Sequence, residues 1–61
     1  MKIQVLELPM EHVGEVTSTP FVLVLSEIDA ETAERIGGRV ALIREATGAR
    51  GVLAFEGPVE I

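Results

Sequence analysis

The stretch TSTPFVLVLSEIDAE, residues 17–31, sets five apolar residues in a row, Phe21 to Leu25, and then turns abruptly to acid. A short run of β-branched and aromatic residues predicts a strand at the middle of a sheet, in need of cover on both faces. Side chains alternate along it, so Phe21, Leu23 and Leu25 share one face and Val22 and Val24 the other. The acidic segment after the run predicts a helix. Asp29 is placed as its N-cap, and Glu31 and Glu34 put negative charge beside the positive end of the helix dipole. Ala33, Ile36, Val40 and Ile43 recur at helical spacing and make one apolar stripe. The helix is expected to run to about Thr47, with Arg39 and Arg44 toward its C-terminal half and Gly48 as its stop.

Toward the N-terminus, KIQVLEL, residues 2–8, reads as a strand that alternates at first, with Ile3 and Val5 on one face. Leu6 and Leu8 then fall on the opposite parity, which predicts a bulge or a strand gripped from both sides. Pro9 ends it. Residues 9–20, PMEHVGEVTSTP, carry two prolines and a Thr-Ser-Thr cluster and read as a long loop or a short extra strand around HVGEV. At the other end, GVLAFEGPVEI supplies a third strand, Val52 to Phe55, broken at Gly57-Pro58.

A helix of roughly 16 to 18 residues between the second and third strands makes those two parallel, joined by a right-handed crossover. The first strand pairs at an edge or between them, and the sequence leaves both orders open. The expected fold is α+β in the order β-β-α-β: a small three-stranded sheet with one helix on one face, residues 1–61 forming a single domain.

Gly37-Gly38 falls mid-helix, where each glycine costs about 1 kcal/mol relative to alanine. A phosphate-cradling turn would place its glycines between a strand and a helix N-terminus. The pair is therefore read as a close helix–sheet approach or a break into two short helices.

Length and composition bound the rest. A chain of 61 residues buries only about 60% of the surface it exposes when unfolded, so its stability is marginal without a staple. It has no cysteine and a single histidine, His12, which removes disulfides and thiolate sites; neither a metal nor a cofactor is expected. Self-association remains, and the 48% apolar content can supply an interface as well as a core.

Five basic residues against ten acids, a net charge of −5, argue against direct nucleic-acid binding, which draws its affinity from clustered Lys and Arg. No apolar stretch approaches the roughly 20 residues that span a bilayer, and the opening MKIQVLELPMEH has no signal-peptide pattern. A cytoplasmic protein with no membrane association is the expectation.

Candidate chemistry is sparse. His12 beside Glu11 and Glu15 is read as solvated loop, Thr17, Ser18 and Thr19 as turn formers before Pro20, and no catalytic residue is assigned. Arg35, Arg39 and Arg44 line one helix, but Glu31 four residues before Arg35 explains the first as a surface ion pair. Glu27, Asp29, Glu31 and Glu34 form a candidate acidic surface for a protein partner, or for a mimic of DNA. The apolar surface left over by one helix predicts a homodimer, formed by sheet faces packing together or by edge strands pairing, with Val22, Val24, Leu53 and Phe55 as its interface and the valine pair at its centre; otherwise residues 9–20 fold back as a lid through Met10, Val13 and Val16.

VLELP (5–9), PFVLVLSEID (20–29) and TGARGVLAFEGPVEI (47–61), which together extend over nearly the whole chain, resemble small uncharacterised open reading frames of high-GC actinobacteria and their phages. That resemblance implies a phage accessory or host-interaction role and brings no activity with it. The expected function is a small acidic, non-enzymatic protein-interaction module that self-associates. The alternatives are a small oligomeric enzyme with its pocket between subunits and an acidic DNA-mimic inhibitor.

Overall fold

A computed structural model describes residues 1–13 and 16–61, and for 11–13 and 16–18 the backbone alone. The class is α+β. In chain order the elements are β1 (Lys2–Glu7), β2 (Glu11–Val13), β3 (Val16–Ser18), β4 (Phe21–Ser26), α1 (Ala30–Gly37), α2 (Val40–Thr47) and β5 (Gly51–Ala54).

The Phe21–Leu25 run takes the middle of a three-stranded sheet of order β1-β4-β5. β1 is antiparallel to it, from Lys2 opposite Ser26 to Glu7 opposite Phe21, and β5 is parallel, from Val22 opposite Gly51 to Leu25 opposite Ala54. The first strand thus lies at an edge. β1 is regular throughout, so Leu6 stays on the even-numbered face with Gln4.

The interruption comes later. The β1–β4 ladder reaches Leu8, whose N–H donates to the Pro20 carbonyl at 2.8 Å, and pairing resumes with Glu11 opposite Ser18. Pro9 and Met10 therefore stand on one strand against Thr19 alone on the other, a one-residue bulge. Beyond it β2 and β3 form their own antiparallel pair. The segment read as a long loop or a short extra strand instead holds two strands, which makes the order β-β-β-β-α-α-β. With this arm the Cα trace measures 42 × 24 × 10 Å.

The single expected helix is two. Asp29 caps α1 as predicted, its Oδ1 accepting from the Thr32 N–H at 2.7 Å. At the other end the Gly38 N–H still bonds the Glu34 carbonyl, but the Arg39 N–H reaches back only to Ile36 (both 3.0 Å). Arg39 is then neither helical nor side-chain capped (φ −123°, ψ 14°). The glycine pair breaks the helix, as the second of the two readings had it. α2 ends at Gly48 in the left-handed conformation (φ 80°), its N–H on the Arg44 carbonyl.

Backbone direction fixes which face the helices cover. Phe21 and Leu25 accept from Arg50 and Phe55 N–H at 2.7 and 2.8 Å, so odd residues of β4 turn their backbone groups to β5 and even ones to β1. For L-residues, a right-handed crossover then sets the odd side chains beneath the helices. On β5 exposure follows this, with Val52 and Ala54 half-buried and Leu53 and Phe55 exposed, whereas on β4 the even Val24 and Ser26 are buried and on β1 the odd Ile3 and Val5 are exposed. Thr32, Ala33, Ile36, Val40 and Ile43 supply the half-buried helix stripe, and among the described residues Val24, Leu25, Ile28 and Ala49 form the buried core.

Candidate functional site

The helix-free face is built from even positions of β1 and β4 and odd positions of β5. Register places Gln4 opposite Val24 and Leu6 opposite Val22, and Val24 opposite Leu53 on the other side. Val22, Val24, Leu53 and Phe55, predicted as an interface set, all belong to this one face. They are not equally available. Val24 is 3% exposed, whereas Leu53 and Phe55 are 47% and 40% exposed and Val22 is half-buried. The apolar surface exposed on this face is thus Leu53 and Phe55, with half-buried Val22 and Leu6 on the same face.

Two buried polar atoms stand on the same face without a hydrogen-bond partner among the described residues, Ser26 Oγ and Gln4 Oε1. Ser26 lies opposite Lys2, next along the ladder from Gln4.

The odd-numbered face has its own gap. Ile3 and Val5 of β1 stand opposite Leu25 and Leu23, yet they are 60% and 56% exposed. The helices pack against β5, at the far edge of the sheet from β1. Sequence reasoning paired Ile3 with Val5 on one face but had no strand order from which to leave them bare.

The four candidate acids are all exposed and lie in the β4–α1 turn and the first turns of α1. Two of them serve the chain itself. Glu31 pairs with Arg35 Nη2 at 2.8 Å. The Thr32 side chain first, then its backbone N–H, hold the Asp29 carboxyl below the usual carboxylate range. Glu27 is the one non-glycine described with positive φ (56°), and its N–H bonds the Gly57 carbonyl at 3.2 Å.

Arg39 and Arg44 are exposed. Glu15, and the side chains of Glu11, His12, Val13, Val16, Thr17 and Ser18, lie outside the described residues. The lid reading and the His12 cluster fall there, while Met10 is exposed. Among the described residues there is no pocket, no group of three or more acidic, His or Cys side chains placed to hold a metal, and no helix long and apolar enough to cross a membrane.

Compared with protein-family models, curated proteins and solved structures, the chain matches none.

Proposed function

We propose that this chain is a small acidic, non-enzymatic interaction module that forms a homodimer through the helix-free face of its sheet. It would serve as an accessory or regulatory protein, of the phage or host-interaction kind, that engages another protein. One observation carries the reading: Leu53 and Phe55 stand exposed on the same face as Val22 and Val24, on the side of the sheet away from the helices. Burying a Leu or Phe side chain contributes about 1.5–3 kcal/mol. Two such residues from each copy therefore supply several kcal/mol to a domain whose own stability is only about 0.05–0.15 kcal/mol per residue.

Light scattering coupled to size exclusion, across a concentration series, tests it. The wild-type chain is expected to have the mass of two copies. Leu53→Glu with Phe55→Glu is expected to have the mass of one and an unchanged circular dichroism spectrum. A wild-type chain that stays monomeric at every concentration would overturn the reading.

A further inference from the structure

We infer that β1 is a second association edge, pairing antiparallel with β1 of another copy so that Ile3 lies opposite Val5 of that copy. This rests on the self-association proposed above and assigns it a surface distinct from the Leu53–Phe55 face.

The ladder settles which backbone groups are free to pair. The Leu8 N–H bonds the Pro20 carbonyl, so even residues of β1 face β4. In an antiparallel pair, hydrogen-bonded and non-hydrogen-bonded positions alternate. Ile3, Val5 and Glu7 therefore turn their N–H and C=O groups away from the sheet, at its edge. A row of such groups is a template for another strand, and natural edges are blunted by proline, charge, bulges or short length. β1 is six residues long and regular. Between Lys2 and Glu7 it holds only Ile3, Gln4, Val5 and Leu6, none charged and none proline.

The edge is self-complementary, since Ile3 and Val5 are both exposed apolar residues on one face of β1, 60% and 56% exposed, and a second copy brings the same pair to meet them. Antiparallel self-pairing keeps Lys2 of one copy away from Lys2 of the other, and Glu7 from Glu7, while in-register parallel pairing would set like charge beside like. A two-fold axis normal to the sheet keeps the faces aligned, so odd residues oppose odd. Among such registers, one sets Ile3 against Glu7, another Ile3 against Ile3 with Val5 against Met1, and a third Ile3 against Val5 twice over. The third brings four exposed apolar side chains together on the odd-numbered face. It also sets Gln4 opposite Gln4 on the other face.

Amide hydrogen exchange on the intact chain, measured across the same concentration series as the mass, tests the inference. In dilute protein Gln4 and Leu6 are protected by β4 while Ile3 and Val5 exchange freely. On association the Ile3 and Val5 amides are expected to slow by about tenfold or more. A synthetic chain with N-methyl-Val5 loses one outward N–H and no β1–β4 bond, and is expected to abolish that slowing at unchanged circular dichroism. If the mass rises while Ile3 and Val5 stay fast, association runs through the sheet face alone and the edge inference fails. If the mass never exceeds one chain, both readings fail. Protection of these amides only after an unrelated strand peptide is added would assign the edge to a foreign partner and overturn the second copy.

Discussion

Val24 and Leu53 stand opposite each other across the parallel pair of β4 and β5, one 3% and the other 47% exposed. Both are branched aliphatics on the same face, separated by a single strand position. The central strand is walled by neighbours on both sides and the edge strand by one. Val24→Ala is therefore expected to cost the single chain about 2 kcal/mol, and Leu53→Ala less than about 0.5 kcal/mol. Urea unfolding of dilute protein checks both. Equal costs at the two positions would show that Leu53 is covered from within its own chain.

Positive φ at two positions predicts effects of opposite sign. Glu27 holds φ 56° and Gly48 holds φ 80°. A side chain in the left-handed region costs roughly 1–2 kcal/mol. Glu27→Gly relieves that cost and raises unfolded-chain entropy, for a net gain of about 0.5–1 kcal/mol. Gly48→Ala imposes it, for a loss of about 1 kcal/mol. Paired melting curves test the signs, and the prediction fails if both substitutions move Tm the same way.

Gly37 predicts a gain without strain. It is exposed, its φ is not positive, and a Cβ there meets nothing within 4 Å. Gly37→Ala is expected to stabilise by about 0.5–1 kcal/mol, read as a higher urea midpoint. Destabilisation would mean that the α1–α2 break depends on glycine at this position.

The Asp29 cap gives a pH dependence. Its folded pKa lies below the ordinary value of 3.8, so the native state binds the proton less readily than the unfolded chain. The cap's stabilisation is complete above the unfolded pKa and is lost as pH falls through the folded one. Tm is expected to fall below about pH 4, and Asp29→Asn, which still accepts from Thr32, to flatten that part of the fall. An identical acid limb in the two proteins would remove Asp29 from the cause.

The elements legible beforehand were those whose determinants are local. Phe21–Leu25 announced a central strand by composition, Asp29 a cap by its place before Ala30, and Glu31–Arg35 a pair by spacing; each interaction spans four residues or fewer. The parallel match of β4 and β5 followed from the length of chain between them. The β2–β3 pair was obscured because Pro9, Met10 and Thr19 shift its register relative to β1–β4, so no single alternation runs through residues 2–26. Exposure was the least legible. Val22 and Val24 look alike in sequence, and the burial of one below the other depends on what lies across the sheet. Ile3 and Val5 became candidate edge residues only once β1 was placed at the border.

The bulge at Pro9 and Met10 makes the arm a replaceable part. β1 and β4 are held in register by their own ladder through Leu8 and Pro20. The extra residue absorbs the phase of whatever lies beyond. Lengthening, trimming or exchanging the segment between Met10 and Thr19 leaves Leu25 beneath the helices and Leu53 on the opposite side. Variation in that arm, or an epitope grafted onto it, would change what the molecule reaches without changing the Leu53–Phe55 face or the β1 edge of its body.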